Sequence, residues 1–399
     1  MISLQTARSV SWRGAGWIVA LGAVATTAWA AAVPARMQAY RTDSATPGVL
    51  KLETVDTPVP TENQVLIQVY AAGANPSDWR TGGGGPPGGG APGGGGPGGG
   101  GPGAGGPPGG GAPGAGGPPG GGAPGAGGPP GGGGGPPGGM RMGARNPGND
   151  VTGVIVAVGS GITDFKVGDA VVAALQQAGG GAYAEYAIAR DQDLARKPNS
   201  FTYEQAAGIP TAGFTGLRMA KLANIQKGER VAIVGAAGGV GSTALQVAKL
   251  QGAHVIAIAS SKHNAYLKKL GADEIVDYDT DKVADKVKDV DVTIVTVGSE
   301  NAAGVSYTRR GGRVVTIVGQ ADAAACTAAG VTCINGGPGA ISDGDLVREL
   351  VSMANAGKFT VDVEKVFPFA QLNDALAMGR TGNREGKIVI SMNKDSSKR

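Results

Sequence analysis

The stretch from Gly228 to Asp279 constrains the fold of this chain most. From Glu229 it reads ERVAIVGAAGGVGSTALQVAKLQGAHVIAIASSKHNAYLKKLGADEIVDYD. Val231 to Val234 form a short apolar run, which suits a strand buried on both faces of a parallel sheet. Glycines follow at once. Val240, Ala244, Val247 and Ala248 then recur at helical spacing and predict an amphipathic helix. A second apolar run, His254 to Ala259, predicts a second strand. Two such strands joined by a helix form a βαβ unit, and the fold class is α/β with a doubly wound parallel sheet.

The turn between the first strand and the helix places Ala236, Gly238 and Gly241 in A-x-G-x-x-G spacing. This is a variant of the dinucleotide fingerprint. Glycine at 238 lets a pyrophosphate approach the backbone, and glycine at 241 lets the helix pack close to the strand. The free amides of the helix start would then hold the phosphates. An NAD site carries Asp or Glu about 20 residues further on, for the ribose hydroxyls. Here the second strand runs into Ser260, Ser261 and Lys262. Hydroxyls and a cation at that point favour a 2′-phosphate, so the expected cofactor is NADP(H). Asp291 to Val297 and Arg313 to Val318 predict further parallel strands, each ending in glycine, at Gly298 and Gly319. Ligands of such sheets lie outside the carboxyl ends of the strands. Gly298 and Gly319 thus fall where backbone approaches the nicotinamide. His254 opens a strand and is expected to be structural; His263 is expected to be solvated.

Two segments stand apart from this pattern. The N-terminus carries Arg8 and Arg13, an apolar stretch from Gly14 to Ala28, and small residues at Ala28 and Ala30. That combination predicts a secretory signal peptide, with an uncleaved membrane anchor as the alternative. From about Gly82 to Gly139 the chain is almost wholly glycine, proline and alanine. The unit GGPPGGGAPGA occurs twice in succession from Gly105 to Ala126. Its lack of a strict Gly-X-Y period excludes collagen. A disordered coil is expected, because no residue there is large enough to offset the entropy of ordering glycine. A repeat expansion tolerated in a surface loop accounts for it, since long loops cost little to close. Such a loop must have its two ends close together.

Lys and Arg (35) barely exceed Asp and Glu (31), and the net charge of +4 is scattered. That excludes the basic footprint of a nucleic-acid binder. Two cysteines, Cys326 and Cys333, and two histidines leave too few ligands for a Cys/His zinc centre. The cysteines are either a local disulfide or two free thiols.

Several ordered motifs then resemble one family. VLIQVYAAGANPSDWR (65–80) has the A-x-G-x-N-P-x-D core. GNDVTGVIVAVGSGITDFKVGDAVV (148–172), GAYAEYAIA (181–189), AAGIPTAGFTG (206–216), AAGGVGSTALQVAKLQGA (236–253) and REGKIVI (384–390) follow in family order. The chain resembles a medium-chain dehydrogenase/reductase of the zinc-independent quinone oxidoreductase branch. The resemblance implies a β-rich GroES-like catalytic domain and a Rossmann NADP-binding domain. The expected boundaries are a signal peptide or anchor at 1–35, catalytic domain at 36–81, a Gly/Pro-rich insertion at 82–147, and catalytic domain again at 148–205. A Rossmann domain follows at 206–358, with a return to the catalytic domain at 359–395. It further implies Asn75 beside the nicotinamide as the catalytic residue, and cofactor contacts from Thr215 and the Gly238–Val240 backbone. Ser260, Lys262 and Tyr278 fall to the 2′-phosphate end, with Arg384 and Lys387 as looser cofactor contacts. A homodimer is usual in that family.

Without a metal to polarise a lone carbonyl, hydride transfer suits a quinone or conjugated enone, whose framework spreads the charge. The sequence offers no evident general acid. The rival reading is a catalytically inactive binding or envelope-interaction protein that uses the glycine-rich tract. The export signal places the body in the periplasm or outside the cell, attached to membrane only if that segment is uncleaved.

Overall fold

A computed structural model describes residues 33–42, 49–80, 146–337 and 341–392, excepting the side chains of 79, 80 and 177. The expected signal segment and Gly/Pro tract lie outside these residues, apart from 33–35 and 146–147. The first described strands, β1 (Arg36–Thr42) and β2 (Leu50–Asp56), pair antiparallel. β3 (Gln64–Gly73) follows, with an apolar sequence buried along most of its length. It leads through Ala74 and Asn75 into the short helix α1 (Pro76–Arg80). β4 (Asp150–Val158), β5 (Ala170–Ala174), β6 (Tyr186–Arg190) and β7 (Leu194–Arg196) complete this part. β3 pairs antiparallel with β4, and its Gln64–Gln68 half also pairs with β6.

The chain then crosses to a second sheet. α2 (Tyr203–Ala206) starts in a capping box, in which the Thr202 hydroxyl accepts from the Gln205 amide and the Gln205 side chain reaches back. A π-turn, Ile209–Gly213, runs into α3 (Phe214–Ala223). Next come β8 (Arg230–Val234), α4 (Gly239–Leu250), β9 (His254–Ala259), α5 (Asn264–Lys269) and β10 (Glu274–Asp277). α6 (Val283–Lys286), β11 (Val290–Val295), α7 (Asn301–Tyr307), β12 (Thr308–Thr316), α8 (Ala323–Ala329), β13 (Thr332–Asn335) and α9 (Asp343–Asn355) follow. The six strands are parallel, in the order β10-β9-β8-β11-β12-β13. This is the doubly wound arrangement, whose order reverses between β8 and β11. The sequence expectation for β12 began too late, because Thr308 already pairs with Val290. It also ran too long, because a turn closed by the Thr316 hydroxyl on the Gly319 carbonyl ends the strand.

β14 (Val363–Pro368), α10 (Leu372–Arg380) and β15 (Lys387–Ser391) return to the first sheet. There β15 lies antiparallel to Ala71–Gly73 at the far end of β3. The seven-stranded sheet is thus built from both ends of the described chain, with the parallel sheet inserted between. One apolar cluster gathers β3, β4, β5 and β15 around Ile67, Ile155, Leu175 and Leu194. Others fill the two faces of the parallel sheet. Cys326 on α8 and Cys333 on the edge strand β13 form a disulfide, which settles the alternative left open by the sequence. Among the described residues no helix is long and apolar enough to cross a membrane.

The described residues on either side of the interruption are adjacent, as its tolerance requires. Asp78 in α1 accepts a hydrogen bond from the Asn149 amide at 3.4 Å and from the Tyr183 hydroxyl at 2.7 Å.

Candidate active site

The glycine turn fits a dinucleotide for reasons visible in its own contacts. α4 begins at Gly239 with Gly238 as its N-cap, and no side chain caps it. The first amides of a helix have no partner within the helix, so this end is open to a phosphate. A Cβ at Gly238 would meet only the Gly235 carbonyl oxygen, at 3.7 Å, which leaves room for a ligand against the backbone. A Cβ at Gly241 would lie 2.2 Å from the same oxygen, so glycine there is what lets α4 sit against the end of β8. Gly235 itself is left-handed, at φ 78°, and turns the chain out of the strand. Thr215, buried on α3, is brought to this turn by tight helix packing. A Cβ on the next residue, Gly216, would lie 2.5 Å from the Val240 carbonyl.

The other strand ends converge here. The Thr296 hydroxyl, beyond β11, donates to the Val234 carbonyl at 2.8 Å. Gly298 follows, where a Cβ would meet the Val318 carbonyl oxygen at 2.8 Å, and Gly319 turns left-handed at φ 71°. Both glycines therefore stand at the carboxyl edge beside the order reversal.

Asn75 is buried between β3 and α1. Its amide donates to Asp78 Oδ2 at 2.8 Å, and its side-chain nitrogen to the Gly73 carbonyl at 3.3 Å. The side-chain oxygen accepts from Lys387 Nζ at 2.6 Å. Lys387 also donates to the Ala74 carbonyl at 3.0 Å and reaches Asp150 Oδ2 at 3.4 Å. Asp150 in turn accepts from the Thr211 amide at 3.0 Å and from its hydroxyl. Gln176 donates to that hydroxyl at 2.6 Å. Thr211 lies in the π-turn, an irregularity of the kind that clusters at functional sites.

Burial sets the electrostatics of this network. It pushes the Asp78 carboxyl up to about 6, opposed by the Tyr183 hydrogen bond and reinforced by the Asp150 charge. Burial pushes the Tyr183 phenol well up, helped by the Asp78 charge. It lowers Lys387, against the charges of Asp150 and Asp78, and it lowers Arg384, against Glu364.

Lys387, expected among the looser cofactor contacts, lies beneath the glycine turn and reaches Asn75. Its ammonium is held inside the protein by Asn75, Ala74 and Asp150. Its stem runs beneath the glycine turn: a Cβ on Gly239 would lie 3.0 Å from Lys387 Cδ. Lys387 therefore ties the turn to Asn75. The adjoining residue does the same through the backbone, since the Gly386 amide donates to the Ala237 carbonyl at 2.8 Å. Arg384 lies half-buried two residues before that contact.

Ser260, Lys262 and Tyr278 follow the adjacent carboxyl ends of β9 and β10. The Tyr278 amide donates to the Ala259 carbonyl at 3.4 Å. The Ser260 hydroxyl donates to Asp279 Oδ2 at 2.6 Å, and Lys262 Nζ to the Asn383 carbonyl at 2.7 Å. His263 is buried rather than solvated, a correction to the sequence expectation. Its ring nitrogens lie 3.2 Å from Glu385 Oε2 and 3.0 Å from Asn383 Oδ1. His254 opens β9 and its Nε2 lies 2.7 Å from Glu274 Oε1. Asp150, Tyr183, Thr211 and Asp279 were not singled out from the sequence. All four stand inside stretches that were quoted whole, without any of them being marked there as functional.

Residues 135–199 match the alcohol dehydrogenase GroES-like domain, and residues 270–390 the zinc-binding dehydrogenase domain. The mitochondrial NAD(P)H oxidoreductase RTN4IP1 of Mus musculus is 30% identical over 281 residues, which cover 61% of this chain and 70% of that protein. The chain belongs to the medium-chain dehydrogenase/reductase superfamily. Within it, the chloroplastic NADPH-dependent alkenal/one oxidoreductase of Arabidopsis thaliana is 33% identical over 254 residues, or 61% of this chain. The match spans 63% of the length of that relative. The medium-chain dehydrogenase/reductase fold is also that of the quinone oxidoreductase of Coxiella burnetii. That structure superposes with a TM-score of 0.68 at 24% identity, over 90% of this chain and all of the other. The expected GroES-like and Rossmann architecture is thus the one observed. In this superfamily member both cysteines are joined to each other, and both histidines face carboxylates.

Proposed function

We propose that the chain is a reductase that moves hydride from NADPH to a conjugated carbonyl acceptor, an enone or a quinone, without a metal ion. The observation that carries this reading is Lys387, whose single side chain underlies the phosphate-binding turn and fixes the oxygen of Asn75. The Arabidopsis relative, named for NADPH and for alkenals and enones, supports the acceptor class. Ser260, Lys262 and Tyr278 support NADPH by residue type, because hydroxyls and an ammonium suit a 2′-phosphate, although Ser260 and Lys262 are turned to Asp279 and to the Asn383 carbonyl.

A bound nicotinamide supplies the hydride. The chain's own residues position and exclude water. With its oxygen held by Lys387 and one NH2 hydrogen directed at the Gly73 carbonyl, Asn75 keeps one orientation, and its second NH2 hydrogen is left to donate. The hydrogen bonds of Asp150 and Asp78 around Lys387 and the Asn75 amide keep that orientation. A conjugated acceptor would take that hydride at carbon, carry the electron pair to its oxygen and draw its proton from solvent. The absence of zinc chemistry is supported by the engagement of Cys326 with Cys333 and of His254 and His263 with Glu274 and Glu385.

NADPH oxidation against a panel of quinones and enones tests the reading. Turnover is expected, and it is expected to persist when residues 82–139 are deleted. Tight NADPH binding with no turnover on any acceptor would overturn it in favour of a binding protein. We also propose export from the cytoplasm. The disulfide supports this, since such bonds persist in oxidising compartments. N-terminal sequencing of the mature protein tests it. A homodimer is proposed, with sedimentation as the check.

A further inference from the structure

The fingerprint places an acidic residue at the end of the second strand in sites that bind a free ribose 2′-hydroxyl. β9 supplies none, but the neighbouring strand does. β10 runs parallel to β9 with Asp277 opposite Ala259, so the residues that follow each strand emerge together. Asp277 ties the two loops: its Oδ1 accepts from the Ser261 amide at 3.2 Å and the Asp279 amide at 3.0 Å. The Thr280 hydroxyl donates to its other oxygen at 3.0 Å. The result is to set Asp279 Oδ2 2.6 Å from the Ser260 hydroxyl. Lys262 does not neutralise it, since its ammonium is turned to the Asn383 carbonyl. Asp279 forms no ion pair among the described residues.

We propose that Asp279 is a specificity-determining residue that opposes the 2′-phosphate and lets the site accept NADH as well as NADPH. The proposal rests on the cofactor reading above. It adds that the serine hydroxyl at the adenosine end is already engaged by a carboxylate. A ribose hydroxyl can donate to that carboxylate. A phosphate brings like charge against it.

Dissociation constants for NADPH and NADH, measured by calorimetry on the full chain and on Asp279→Asn, test this at low and high salt. Both nucleotides are expected to bind the unaltered protein. Asp279→Asn should tighten NADPH about fivefold, the effect of one exposed like-charge contact at short range. It should weaken NADH, whose ribose hydroxyl then meets a neutral amide instead of a charged acceptor, and the NADPH gain should shrink in high salt. Asp279→Ser should move the ratio the same way, so the result does not hang on one side chain. A ratio of the two constants that is the same in all three proteins would overturn the assignment while leaving the NADPH reading intact. Failure of both nucleotides to bind the unaltered protein would overturn both.

Discussion

The ammonium of Lys387 lies 2.6 Å from the carboxamide oxygen of Asn75, although 312 positions separate the two residues in the chain. The same ammonium is paired with Asp150, and the two side chains are 5% and 0% exposed. Removing one partner of a buried pair strands the other charge, at a cost of about 3 kcal/mol or more. Lys387→Met is therefore expected to lose about 3 kcal/mol in denaturant titration and to lower kcat more than it raises KM. Adding Asp150→Leu should recover part of the stability and none of the turnover, since Asn75 stays unheld.

Gly238 and Gly241 separate binding from folding. Gly241→Ala drives a methyl into the Gly235 carbonyl and is expected to cost about 2 kcal/mol. Gly238→Ala meets open space at φ −72°. It should leave stability within about 0.5 kcal/mol of the original and weaken nucleotide binding about tenfold or more. Equal stability losses in the two variants would count against this assignment of the turn.

Asp78 gives the stability profile a particular sign. Its carboxyl is raised from 3.8 to about 6 by burial, so between these pH values the folded chain holds a proton that the unfolded chain has released. Its contribution is complete below about pH 4 and is lost as pH rises to about 6, amounting to about 3 kcal/mol. Other carboxyls such as Asp273 and Asp291 are lowered and act in the opposite sense. The clean measurement is thus the difference between Asp78→Asn and the unaltered protein. That difference should move in favour of the variant from pH 4 to pH 6 and then level off.

The Cys326–Cys333 bridge closes a short loop of sequence separation 7 between α8 and β13. Its removal in the double variant Cys326→Ala/Cys333→Ala should cost about 2 kcal/mol. Thiol titration of the native protein should find no reactive sulfur until a reductant is added.

The parallel sheet was readable because its signals are local. An apolar run, a glycine turn and a helical period all lie between Val231 and Ala259, and the structure places β8, α4 and β9 there. The polar network beneath Asn75 was not readable, because its members come from β3, β4, the π-turn and β15. Nothing in the spacing of Asp150 and Lys387, 237 positions apart, marks them as a pair. His263 was misread for the same reason: its partners Asn383 and Glu385 arrive from the other end of the chain. Asp279 was hidden by strand adjacency. The expected acid was sought after β9, whereas the sheet delivers it from the loop beyond β10.

The bond between Asn149 and Asp78 means that the chain leaves and re-enters the sheet at practically one point. Such a junction behaves as a socket: the length and chemistry of what is plugged in are decoupled from the body that holds it. A folded passenger with neighbouring termini, a fluorescent reporter for instance, could replace the native segment there, so this scaffold doubles as a ready-made display site.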